Sequence, residues 1–345
     1  MNESASPAPE PIAKRRRLGA LTRIPTPLIF AGSIALAVIV LWWQGQIQDL
    51  GRVLGDAAWT PILIAIPIYL FSLALLCYRW HVLVVMAHGS SDIPRASEAF
   101  LTSVVINYAA PVGLAVPSRA ALTKRALGLD ASATGTIAIW EIGLDVIVLG
   151  LGTLLWLILA PGSFEAVGDE LGDSASKYAL AGVALVILIL GGLVVMLRKQ
   201  SWRERIIRMA TRIVLAPKER PSVAALGFGV SAVYWILQGV VLALLLHALG
   251  VEITFTLVLG ITSLPILIGM LSPIPGGAVV REALMYVVAR LAGVSGAEVV
   301  AAALLYRFAL FGAIPILYGL TRLWITLRGN TTAPSAATPG DTVTP

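Results

Sequence analysis

S-P-I-P-G-G-A-V-V-R-E, residues 272 to 282, interrupts an otherwise apolar run. Pro273 and Pro275 lack the N–H that a helix needs and clash with the preceding turn. Gly276 and Gly277 open backbone angles that other residues avoid. A helix over 256–271 therefore ends here, and a new one starts near Ala278. Arg281 and Glu282 follow at once. In lipid, irregular backbone survives only where protein or a water-filled cavity covers it. A buried break with a charged pair beside it marks a candidate binding site.

The composition places this break in a membrane. Of 345 residues, 58% are hydrophobic and 13% charged. Spanning about 30 Å of hydrocarbon takes roughly 20 mostly apolar residues. Full spans are expected near 28–43, 61–86, 134–160, 178–197, 222–249 and 298–325. The single cysteine, Cys77, excludes an intrachain disulfide and a cysteine-based metal cluster. His81, His88 and His247 are too dispersed for a histidine-rich metal site. No metal and no cofactor are expected. The net charge of +6 gathers in loops, which is the mark of cytoplasmic flanks rather than of nucleic-acid binding.

The chain divides into three parts. Residues 1–27 read as a disordered, basic cytoplasmic tail, residues 28–328 as one transmembrane domain, and residues 329–345 as a second disordered tail. Arg79 and His81 sit near the end of the second span and are expected to snorkel. Arg322 and Arg328 mark the inner end of the last span. Residues 198–220 carry eight Lys and Arg, and part of that stretch suits an amphipathic helix on the anionic inner leaflet.

A second broken segment lies at 98–125. Pro111, Gly113 and Pro117 follow a short apolar helix, and Arg119 follows them. Pro111 precedes Arg119 by the same spacing as Pro273 precedes Arg281. Leu127-Gly128 and then a charged span follow the first arginine; Ala292-Gly293 and a charged span follow the second. This order implies a degenerate internal repeat. Ordinary helices kinked by proline are the simpler reading of either break alone. If both breaks are re-entrant hairpins, six full spans remain, both termini face the cytoplasm, and the eight-charge loop lies inside. The two hairpins then enter from opposite faces, an inverted-topology repeat of the transporter type.

Arg119, Arg281 and Arg307 are the leading candidates for substrate contact, because guanidinium forms a planar fork that matches phosphate oxygens. Asn107 is placed to donate to the same head group, and backbone N–H groups near Gly276 and Gly277 add to an anion site. Glu141 and Asp145 share one helix face; with Glu282 they hold the arginines or couple transport to protons. A lone charge at the bilayer centre costs at least about 2.5–3.5 kcal/mol, so these groups pair or sit in a hydrated cavity. Arg307 with Glu298 or Asp145 is alternatively a purely structural ion pair. No catalytic constellation and no nucleotide-binding pattern is present.

With these residues in view, the chain resembles the lysylphosphatidylglycerol synthase transmembrane-region family, also called flippase-like, over about residues 28–325. The likeness is strongest at Pro273–Ala283, P-I-P-G-G-A-V-V-R-E-A, and at Ala301–Phe308, A-A-A-L-L-Y-R-F. Pro275, Gly276, Gly277, Glu282 and Arg307 match the family form, whereas Val279 stands where a third glycine is usual. Asn107, Pro111, Arg119, Leu127–Ser132, Glu141 and Asp145 carry the likeness in the first half. No acid stands at Ala115, Val116 or Pro117, where the family often has one. Ile142 occupies the place of an arginine.

The resemblance implies a lipid translocase of the cytoplasmic membrane acting on a phospholipid, polyprenyl-phosphate or glycolipid. It also implies a separately encoded lipid-modifying enzyme as a partner. A non-catalytic scaffold for such an enzyme and a small-solute transporter are the alternatives. The fold class expected is all-α and polytopic.

Overall fold

The structure, a computed structural model, describes residues 57–109, 115–129, 131–163, 200–271 and 280–331, together with Pro27, Leu28, Phe30, Ala31, Ala35, Ile39, Trp42 and Gly55. Nearly all of both tails, most of the first expected span, the span expected at 178–197, and Pro111, Gly113, Pro273, Pro275, Gly276 and Gly277 of the two breaks fall outside these residues.

Among the described residues every regular element is a helix. The helices are α1 (Trp59–His88), α2 (Ile93–Ala109), α3 (Ala115–Leu127), α4 (Ala131–Leu159), α5 (Gln200–Glu219), α6 (Pro221–Ala248), α7 (Phe255–Leu271), α8 (Val280–Leu291) and α9 (Gly296–Thr331). The segments Trp59–His88, Ala133–Leu159, Pro221–Ala248 and Gly296–Arg328 are each long and apolar enough to cross a membrane. They coincide with four of the six expected spans. Helix α9 runs to Thr331, slightly past the expected domain end at 328.

The four helices flanking the breaks are shorter. Helices α2 and α7 have 17 residues each, α3 has 13 and α8 has 12. At 1.5 Å per residue none of the four reaches the length of a full span. Helix α2 packs on α3, and α7 on α8. Helices α7 and α8 bracket residues 272–279, as the prolines there require.

The repeat extends well beyond the breaks. Trp59 and Pro221, Ile93 and Phe255, Ala109 and Leu271, and Arg119 and Arg281 are all separated by one and the same number of residues. Each of α1–α4 thus has a counterpart among α6–α9, and the packing repeats with them. Helix α2 lies on α9 as α7 lies on α4, and α3 lies on α4 as α8 lies on α9. Tyr318 of α9 meets Glu98 of α2, and the equivalent Trp156 of α4 meets the equivalent Gly260 of α7. Gly128 and Gly293 end α3 and α8 with positive φ, 68° and 73°. That is the left-handed turn glycine adopts without cost.

Direction is set where the two units meet, at α1 and α6. The amide of Ala58 donates to the carbonyl of Ala248 at 2.7 Å, joining the start of α1 to the end of α6. At the opposite end the Arg220 guanidinium donates to the carbonyls of Val85 and Met86. These equivalent helices are therefore antiparallel along their whole length. The units are related by a two-fold axis across the helices, the geometry of an inverted repeat.

Candidate functional site

The first buried charge cluster lies between α1, α3 and α4. Arg79 is 2% exposed and meets both carboxylate oxygens of Asp145. It also lies 3.5 Å from Glu141 and donates to Ser231 at 3.2 Å. The Trp235 indole N–H donates to Asp145 at 2.8 Å. Arg119 pairs with Glu141, and its Nε donates to Ser103 at 2.7 Å. Its guanidinium carbon lies 4.8 Å from the Phe100 ring centre and 5.6 Å from that of Trp80. Two guanidiniums and two carboxylates thus balance inside one apolar shell, with aromatic faces supplying further attraction.

The second cluster occupies the equivalent place in the other unit. Arg281, near the start of α8, lies 3.3 Å from Glu282. Arg307 of α9 reaches the same Glu282 oxygen. Both arginines are buried at 7% exposure. Two guanidiniums converge here on one carboxylate, immediately after the Pro/Gly break.

A polar seam along α1 and α6 joins the clusters. Ser72 and Arg79 are two turns apart on α1; Ser231 and Gln238 are two turns apart on α6. Antiparallel packing crosses them, so Arg79 meets Ser231 and Gln238 donates to Ser72 at 2.7 Å. Tyr306 of α9 donates its hydroxyl to the Gln238 carbonyl oxygen, and its ring faces Arg281 at 6.0 Å.

A model of the family described as lysylphosphatidylglycerol synthase TM region matches residues 30–319. The chain belongs to that family. No curated protein and no solved structure matches it. Both charge clusters and the seam lie inside the region matched to the lysylphosphatidylglycerol synthase TM family. Membership and the apolar helices make this a multi-pass membrane protein.

The structure brings together Arg119 with Glu141, and Arg281 with Arg307 and Glu282. The Asn107 side chain, Gly276 and Gly277 lie outside the described residues. Arg307 pairs with Glu282 rather than with Glu298 or Asp145, whose partner is Arg79. The snorkelling expected of Arg79 is wrong. It lies more than two turns inside the end of α1 and turns to the carboxylates of α4 instead. His81 is half-buried rather than extended to water. The sequence reading also missed Glu98, which accepts from Tyr318 and Arg322 at 3.1 Å each. It missed the seam of Ser72, Ser231 and Gln238 as well, for which the available signal was spacing: Ser72 to Arg79 and Ser231 to Gln238 repeat one helical face inside apolar helices. Lys124, Arg125 and His247 are exposed, as flank and surface residues should be.

Proposed function

We propose that this protein binds a phosphate-bearing lipid head group within the cytoplasmic membrane and carries it across, leaving the acyl chains in lipid. The carrying observation is the convergence of Arg281 and Arg307 on Glu282, buried beside the Pro/Gly break. Charge inside a membrane is costly and marks substrate pathways. Guanidinium forks match phosphate oxygens, and a pair anchored on one carboxylate is pre-oriented to receive them. The inverted repeat supports the same reading, because two equivalent units permit alternate exposure of one site to either face. Both termini lie in the cytoplasm on this reading, and a separately encoded enzyme supplies or consumes the lipid.

The test is mass spectrometry of the lipids retained by purified protein, wild type against Arg281→Gln, at matched thermal stability. A charge-assisted hydrogen bond contributes about 1.5–3 kcal/mol, so enrichment of one phosphorylated lipid class is expected to fall at least about tenfold. Equal lipid content in both proteins would remove the head-group site and favour the scaffold reading.

A further inference from the structure

Below the clusters, at the end where α1 and α3 finish and α4 and α6 begin, a cavity of about 550 Å³ opens beneath α5. Its size falls in the ordinary ligand-site range of about 300–1,000 Å³. Helix α5 roofs it. The Trp140 indole N–H of α4 donates to the Ile213 carbonyl at 2.9 Å and fastens the helix there. Ile207, Val214 and Leu215 of α5 are exposed together with Arg203 and Arg212. A helix that exposes apolar and basic side chains together lies in the interface of a leaflet. The basic content of residues 198–220 makes that the cytoplasmic leaflet.

The cavity wall carries charge of both signs. Arg220 uses Nη1 for the carbonyls that end α1, and neither its Nε nor its Nη2 donates to a described residue. The Glu219 and His88 side chains also line the cavity, and neither side chain holds a hydrogen bond or ion pair with a described residue. Arg212 stands on the same wall. Cation donors and a carboxylate on one wall fit a ligand that carries a phosphate and an ammonium group. The leaflet beside it is a source of such ligands.

We propose that this cavity is a second lipid site, distinct from the Arg281 cluster, which takes a zwitterionic amino-phospholipid head group from the cytoplasmic leaflet. The phosphate meets the Arg220 guanidinium beside Arg212, and the ammonium group meets Glu219. The site stands whether or not the buried cluster moves lipid.

The test is native mass spectrometry of the full chain from nanodiscs of equal phosphatidylethanolamine and phosphatidylglycerol. It compares wild type, Glu219→Gln, Ala216→Phe and Arg281→Gln. Ala216 lines the cavity, so the phenyl ring fills it without changing charge. Glu219 is exposed, so its replacement leaves packing intact. Retained phosphatidylethanolamine should exceed phosphatidylglycerol in wild type and Arg281→Gln alike. Glu219→Gln should lower that preference about threefold, the scale of an exposed ion pair. Ala216→Phe should remove it. An unchanged preference in Glu219→Gln, or a preference abolished only by Arg281→Gln, overturns the proposal. Soluble O-phosphoethanolamine in lipid-free detergent distinguishes the source. If it stabilises the wild type as well as the lipid does, and Glu219→Gln abolishes the effect, the ligand is a free phosphoamine and the lipid assignment fails.

Discussion

Arg79→Met removes a buried guanidinium and leaves Asp145 with the Trp235 N–H at 2.8 Å as its remaining donor among the described residues. Breaking a buried pair by deleting one partner costs about 3–5 kcal/mol. The low end applies here, because that N–H still solvates the carboxylate. Asp145→Leu alone strands Arg79 beside Glu141 at 3.5 Å and Ser231 at 3.2 Å, at similar cost. In Arg79→Met/Asp145→Leu no charge of that pair is stranded. The residual loss is then the unsatisfied Trp235 N–H, about 1–3 kcal/mol. The summed single losses should therefore exceed the double loss by at least about 2 kcal/mol. Reversible unfolding in mixed micelles, with all four proteins in one double-mutant cycle, measures this. Additivity within about 0.5 kcal/mol would refute the pairing.

Three further outcomes follow from the packing. Gly260→Ala would place a Cβ 2.5 Å from the Trp156 Nε1 and 2.8 Å from Val288, so stability in the same assay should fall by about 1–3 kcal/mol. Gln238→Leu removes the donor to Ser72 and the acceptor of the Tyr306 hydroxyl, and should cost about 1–3 kcal/mol while Gln238→Asn costs less. Cys77 is buried, so maleimide labelling of folded protein should be slow and should accelerate sharply on unfolding.

The helix plan was legible because prolines, glycines and apolar length act locally. Pro273 to Gly277 announced the end of α7 and the start of α8, and the shared Pro–Arg spacing announced the repeat. The full reach of that repeat was hidden, since α1 and α6 share position and packing but hardly a residue type. Ion-pair partners were less legible. Arg119 and Glu141 were both singled out, yet nothing local joins residues on different helices. Arg79 was misread for the same reason: a cation near a span end snorkels unless an acid from another helix faces it. Asp145 does face it, four residues beyond Glu141 on α4.

Lipid movement in sealed vesicles tests the central claim most directly. Wild type and Arg281→Gln, reconstituted at equal density, would be given a labelled lipid of the class enriched in the purified protein. Its appearance in the opposite leaflet would be followed by quenching from one side. The account predicts transfer by the wild type and loss of at least about nine-tenths of it in Arg281→Gln, in line with the expected tenfold loss of binding. Equal rates in the two proteins, both above empty vesicles, would contradict it.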